Sequence, residues 1–244
     1  MADLTPRQIN VLKAIVEEFI ETAKPVGSET LEKKHSFGVC PATLRNEMAK
    51  MAQIGYLSKP HSSAGRMPTS MALKYYVREL MTPKKLSVSE EVGVKEKIWD
   101  KKHDFANLLK EATKELSRRS RKMALSVTSQ GSLCFFGAAH LLDEPEFLDI
   151  DVTRVTLELI DQVDFWLRII DSITLYPGEE GEIRLLIGHD LGESLLEPCG
   201  FVFQQYETGP YKGIIGIMGP ARQRYVETVP LVNYFARLIS EVAG

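Results

Sequence analysis

The 244-residue chain has only three cysteines, Cys40, Cys134 and Cys199, odd in number, far apart and never in a Cys-x-x-Cys pair. That excludes the spacing of a disulfide framework or a zinc knuckle, and makes a reducing cytoplasm the expected location. The five histidines, His35, His61, His103, His140 and His189, show no metal-ligand spacing, and no glycine-rich phosphate loop occurs. Apolar residues never run uninterrupted for the ~20 positions a bilayer-spanning helix needs. Met1-Ala2-Asp3-Leu4-Thr5-Pro6 has neither a basic n-region nor an apolar h-region, so no secretory signal is expected. Internal repeats and low-complexity tracts are absent. What is present, 44% hydrophobic and 26% charged residues, suits one large domain or two smaller ones with a buried core.

A net charge of −3 argues against a nucleic-acid partner only while it is treated as an average. Residues 1–86 hold 13 Lys+Arg against 8 Asp+Glu, and residues 87–122 hold 10 against 7. Residues 123–244 reverse the sign, with 7 against 18. A basic N-terminal part joined to an acidic C-terminal part suggests a DNA- or RNA-facing module carrying a partner domain.

Local signals at the start are helical. Thr5 can act as an N-cap, Pro6 suits the first helical position and Gln8 completes a capping box. Ile9, Leu12, Ile15, Val16, Phe19 and Ile20 then give one apolar face, with a stop near Ala23 ahead of Lys24-Pro25. Ser28 can act as the N-cap of a short second helix to about Lys34. Pro41 opens a third, to about Ile54, with Gly55 as its left-handed stop. Tyr56-Leu57-Ser58 and Met67-Pro68 read as two short strands around a flexible basic loop. Three helices followed by a hairpin is the order of a winged helix-turn-helix. A fourth helix, capped by Thr69 or Ser70, ends before Thr82-Pro83.

In such a motif the second helix of the pair enters the major groove. Here Leu44, Met48 and Met51 fall on its inner face, and Ala42, Arg45, Asn46, Ala49, Lys50 and Gln53 on the outer one. Arg can bridge guanine O6 and N7, Asn can bridge adenine N6 and N7, and a small alanine permits close approach to the groove. Pro41 and Thr43, at the helix N-terminus, favour a nearby phosphate. The loop adds Lys59, His61, Ser62, Ser63 and Arg66, placed to meet a phosphate or the minor groove. The candidate DNA-binding residues are therefore Ala42, Thr43, Arg45, Asn46, Lys50, Gln53, Lys59, His61, Ser62, Ser63 and Arg66.

Residues 84–94 read as a polar linker and residues 94–123 as a charged helix. Ile98, Phe105, Leu109, Ala112 and Leu116 lie close to an a/d seam, equally suited to packing on the chain's own domain or across a dimer. Strands are expected at 124–129, 133–137, 183–188, 201–206 and 211–218, with a long helix at 152–171, a short helical stretch near Ser194 and a closing helix at 222–242. This is an α+β, sensor-like pattern. Glu179-Glu180 reads as a pair of turn charges, and Cys134 beside Phe135-Phe136 as a buried small apolar residue. With no partner groups for catalysis, no enzyme activity, cofactor or metal is assigned.

Several motifs resemble the HrcA heat-inducible transcription repressors. They are Thr5-Pro6-Arg7-Gln8, Pro25-Val26-Gly27-Ser28, Pro41-Ala42-Thr43-Leu44-Arg45-Asn46-Glu47-Met48, Gly55-Tyr56-Leu57 and Pro60-His61-Ser62-Ser63-Ala64-Gly65-Arg66-Met67-Pro68-Thr69. Tyr75-Tyr76-Val77, Leu141-Leu142-Asp143-Glu144-Pro145-Glu146-Phe147, Gly213-Ile214-Ile215-Gly216-Ile217-Met218-Gly219-Pro220 and Pro230-Leu231-Val232 continue the match. The resemblance implies a winged-helix DNA-binding domain (1–81), a linker and connecting helix (82–122) and a GAF-like regulatory and dimerisation domain (123–244). It further implies a homodimer on an inverted-repeat (CIRCE-type) operator upstream of chaperone genes, with the GroE chaperonin sustaining the active form. Two departures stand out. Glu29 occupies a position that is usually basic, and the stretch between Ser129 and Leu141 is far shorter than in typical members, where part of the GAF-like domain and an inserted dimerisation subdomain lie. Dimerisation would then pass to the 94–122 helix or to the GAF-like core. The alternative is a ligand-sensing or protein-interaction module whose winged helix does not repress heat-shock genes.

Overall fold

The computed structural model describes residues 4–61, 64–84, 86–175 and 181–243. Ser62, Ser63 and the Glu179-Glu180 pair lie outside the described residues. The chain divides into two compact units, Met1–Thr82 and Pro83–Gly244.

The first unit is built from α1 (Pro6–Thr22), α2 (Ser28–Lys34), α3 (Pro41–Gln53), an antiparallel pair β1 (Leu57–Ser58) and β2 (Met67–Pro68), and α4 (Ser70–Tyr75), which runs on as a π-turn over Tyr76–Leu80. Local chemistry sets the helix ends. The Thr5/Gln8 capping box is complete, with Thr5 N donating to Gln8 Oε1 at 2.9 Å, and Ala23 closes α1 at φ 56°. Thr69 caps α4, and Gly55 takes the left-handed φ of 87° that ends α3. The core gathers Leu12, Ile15, Val16 and Phe19 of α1 with Leu31, Leu44, Met48, Met51, Tyr56 and Leu73. Val11 and Ala14 are buried with them, whereas Ile9 and Ile20 are only half-buried.

The second unit is a five-stranded antiparallel sheet in the order β4-β3-β7-β6-β5, made of β3 (Met123–Thr128), β4 (Leu133–Phe136), β5 (Arg184–Ile187), β6 (Cys199–Thr208) and β7 (Tyr211–Pro220). On one face lie α6 (Phe105–Ser120) and α9 (Tyr225–Ala243), with α5 (Val88–Trp99) packed on both. A buried hydroxyl pair, Thr113 to Ser126 at 2.7 Å, fixes α6 to this face. The opposite face carries α7 (Ile150–Asp161) and α8 (Val163–Leu175). There Trp166, Ile170 and Leu159 pack on Leu125, Phe201, Phe203 and Met218. Gly216 is the gap that admits the Phe201–Phe203 stack, since a Cβ there would lie 2.6 Å from Phe203 Cβ. The mixture is α+β, with all sheet neighbours antiparallel. Among the described residues no helix is long and apolar enough to cross a membrane.

Three expectations need correction. The long helix expected at 152–171 is two helices, α7 and α8, broken at Gln162. The buried Trp166 indole explains the break, because its Nε1 donates to the Leu159 and Ile160 carbonyls at 3.2 and 3.1 Å and satisfies acceptors that α7 leaves open. The charged helix expected at 94–123 is also two, α5 and α6, separated by residues 100–104, and α5 begins inside the stretch expected to be linker. Asp104 starts the second by accepting from the Asn107 amide at 3.1 Å. The seam Ile98, Leu109, Ala112 and Leu116 is buried within this one chain, so it is not a free dimer surface. Finally, Cys134 is half-buried on the edge strand β4 rather than enclosed.

Buried charge ties the α5–α6 pair together. Glu115, 2% exposed, accepts from Lys97 Nζ at 2.7 Å and from Arg118 at 2.8 Å, with Arg119 Nε 3.8 Å away. Burial by itself would raise its pKa, but the hydrogen bonds from Arg118 and Lys97 outweigh that and hold it at about 2. On the far side, Arg222 binds Glu146 at 2.6 Å and Glu144 at 3.1 Å, and Lys122 also pairs with Glu144. These contacts clamp the short 3₁₀ turns Ala138–Asp143 and Pro145–Leu148 to Arg222, ahead of α9, and to Lys122, ahead of β3.

Candidate nucleic-acid interface

The interface is assembled on α3. Leu44, Met48 and Met51 are buried, which turns the other side of the helix outward. Ala42, Arg45, Asn46, Lys50 and Gln53 are exposed there, while Thr43 and Ala49 are half-buried. Thr43 Oγ1 lies 3.4 Å from Cys40 Sγ, and this contact lowers the pKa of the exposed Cys40 thiol. Lys50 is paired with Glu47 at 3.3 Å, so its ammonium shares a carboxylate on its own helix.

Two contacts that sequence reasoning missed hold this surface in place. Glu47 Oε2 accepts from Gln8 Nε2 at 2.9 Å, which links α3 to the capping box of α1. The two residues are 39 positions apart, and nothing in local patterning couples them. The second contact pins the basic loop. Val26 N donates to Arg66 O at 2.8 Å and Arg66 N to Val26 O at 2.9 Å, so the segment before α2 adds an antiparallel bridge beside the hairpin. Gly65 makes this approach possible, since a Cβ there would stand 2.4 Å from the Val26 carbonyl oxygen. The loop read as flexible from its composition is therefore anchored at its C-terminal end.

Between α2, α3 and the hairpin lies a notch of about 510 Å³ lined by Gly27, Ser28, Glu29, Thr30, Arg45, Met48, Lys59, Ala64, Gly65 and Arg66. It brings three of the expected contact residues, Arg45, Lys59 and Arg66, to one place. Ala42, Asn46, Lys50, Gln53 and the exposed His61 stand outside it. Glu29 contributes a carboxylate among these cations. Three cations converging on an open notch beside an exposed Arg-Asn helix face can neutralise phosphate and reach base edges together.

A positively charged helical unit of this kind joined to an acidic α+β unit is the build of a transcription regulator. Residues 72–229 match the family profile described as the HrcA protein C terminal domain, and the chain belongs to the HrcA family. It is 24% identical to the heat-inducible transcription repressor HrcA of Carboxydothermus hydrogenoformans, with 98% of each chain covered. The HrcA of Symbiobacterium thermophilum is likewise 24% identical, over 97% of this chain and 98% of the relative. The Clostridioides difficile HrcA is 39% identical over 126 residues, 52% of this chain and 37% of the relative. The alignment with the Carboxydothermus protein runs over 339 positions, so roughly 100 positions of that relative have no counterpart among these 244 residues. A crystal structure described as a hypothetical protein at 2.2 Å resolution superposes with a TM-score of 0.73 at 19% identity, covering 99% of both chains, and shares the fold.

Proposed function

We propose that the chain represses heat-shock (chaperone) genes by binding an inverted-repeat, CIRCE-type operator as a homodimer. Its first unit acts as a winged helix-turn-helix and its second as a shortened GAF-like regulatory and dimerisation domain. The observation that carries this reading is the notch in which Arg45 of α3 meets Lys59 and Arg66 of the hairpin. In this reading α3 lies in the major groove, Arg45 and Asn46 read base edges, and the hairpin is the wing on the phosphate backbone. One such unit makes few contacts, so two half-sites on a two-fold axis are needed for specificity. The net charge of −11 over residues 123–244 keeps the remainder of the molecule off DNA. Support from the GroE chaperonin for the active form belongs to the same proposal.

The test is fluorescence anisotropy with an inverted-repeat duplex and a scrambled one at two salt concentrations. Arg45→Ala is expected to weaken operator binding by about 10- to 100-fold and to relax preference at one base pair. Arg66→Ala is expected to weaken both duplexes alike and to reduce the salt slope by about one. Equal binding of the two duplexes by the unaltered protein would contradict sequence-specific reading.

A further inference from the structure

The residues that looked like a dimer seam are buried inside the second unit, but α5 has a second stripe that stays half-exposed among the described residues. Val94 and Ile98 face inward, at 1% and 0% exposure, whereas Val92 and Trp99 face outward at 51% and 46%. Val92 and Trp99 are seven residues apart, two helical turns, so they share one line along the helix. A tryptophan left half in water on a helix is a costly use of the largest apolar side chain, and such residues dominate protein interfaces.

The flanks of this stripe are of opposite sign. Lys95 and Lys102 lie to one side, both within reach of the Trp99 ring, at 5.9 and 4.9 Å from its centroid. At 100° per residue Glu96 falls on the other side, and Asp100, the first residue past the helix, lines the same surface as Val92, Glu96 and Trp99. Helices that pair with a two-fold axis along their length bring the left flank of one against the right flank of the other. An antiparallel pair matches like flanks instead. By the same period the exposed Glu91 lies on the lysine flank, which leaves that flank net basic and the other acidic, so only the parallel arrangement of two copies is attractive on both sides.

The geometry points to a parallel pairing of α5 with α5 of a second copy of this chain, Val92 and Trp99 forming the seam and the Lys95/Lys102 flank meeting Glu96 and Asp100 across it. This inference rests on the homodimer reading above and names its surface. Both chains then enter the pair at the same end, related by a two-fold axis as the halves of an inverted repeat are. The strip is shorter than a standard interface of about 1,600 Å², so association is concentration-dependent and strengthened by a two-site operator.

The experiment is sedimentation velocity of the full chain over a concentration series, with Trp99→Ala and two flank variants, Lys95→Glu/Lys102→Glu and Glu96→Lys/Asp100→Lys. The unaltered protein should dimerise, and Trp99→Ala should weaken the dimer by more than about tenfold. Each flank variant alone should weaken it by about tenfold, because like charges then face each other on both sides. Mixing the two flank variants should restore dimer to the unaltered level, since both flanks are again complementary. That rescue cannot arise from misfolding of either variant. A dimer indifferent to all three changes, or flank variants that fail to rescue each other, would overturn the α5 surface while leaving the homodimer reading intact. A protein that stays monomeric at every concentration, with and without an inverted-repeat duplex, would overturn both.

Discussion

Glu115→Ala is expected to cost the second unit about 3 kcal/mol of stability, because it removes the one acid that several cations share. Glu115 is 2% exposed and touches Lys97 of α5 and Arg118 of its own helix, while Arg119 Nε is buried with Glu115 3.8 Å away. Lys97 and Arg118 are half in solvent and can rehydrate, which keeps the loss at the lower end for a broken buried pair. Arg119, with 18% of its side chain exposed and its Nε buried, can do so less. Both tryptophans, Trp99 and Trp166, belong to the second unit, so urea unfolding followed by tryptophan fluorescence reads this unit alone. A loss below about 0.5 kcal/mol would place Glu115 among ordinary surface charges.

The same residue makes a prediction with pH. Its folded-state pKa of about 2 lies below the ordinary value of 4.5, so the ionised form is favoured by folding. The stabilisation is complete above the unfolded value and is lost as pH falls from about 4.5 toward 2. It amounts to about 2 kcal/mol, allowing for solvent screening of the exposed partners. Glu115→Gln keeps the volume and removes the titration. Its stability should therefore fall less steeply than that of the unaltered protein across this window. Parallel acid limbs would mean that other carboxylates set the acid response.

Why some of this was legible in the sequence and some was not follows from how far apart the interacting residues lie. The end of α2, and the cap and stop of α1, rest on groups within four residues of one another, and there the pattern reading and the structure agree, whereas the N-cap of α2 is Gly27 and not Ser28, which is the first residue of the helix. The outward set Ala42, Arg45, Asn46 and Gln53 follows from helical period once Leu44 and Met48 are assigned inward. The break between α7 and α8 does not follow from any local signal. It depends on an indole from the next helix finding the carbonyls at the end of the first. The α6 seam shows a different limit: Leu109, Ala112 and Leu116 have the same spacing whether they meet a second chain or the chain's own sheet and α9. Periodicity specifies that a face is buried and is silent on what buries it. The Gln8–Glu47 link and the Val26–Arg66 bridge are of the first kind, non-local polar contacts between residues with no shared pattern.

That bridge gives the second large effect, expected for Gly65→Ala. The new Cβ would lie 2.4 Å from the Val26 carbonyl oxygen and 2.5 Å from its carbon, both main-chain atoms that cannot swing aside as a side chain would. Relief requires the strand segment at Arg66 to move away from Val26, which sacrifices both hydrogen bonds of the bridge. Such forced backbone shifts cost about 1–3 kcal/mol. The functional consequence is larger than the stability loss, because Arg66, which this bridge holds, shares the notch with Arg45 and Lys59. In the DNA-binding reading, affinity should fall about 10- to 100-fold for operator and scrambled duplex alike, since the phosphate-facing hairpin moves while α3 keeps its seat on Leu44, Met48 and Met51. Amide exchange separates this from global unfolding. The Val26 and Arg66 amides, protected in the unaltered protein, should exchange quickly in the variant, while buried amides of α1 and α3 stay protected. If both bridge amides remain protected and binding is unchanged, the hairpin is not positioned through Val26, and the convergence of Arg45, Lys59 and Arg66 has another cause.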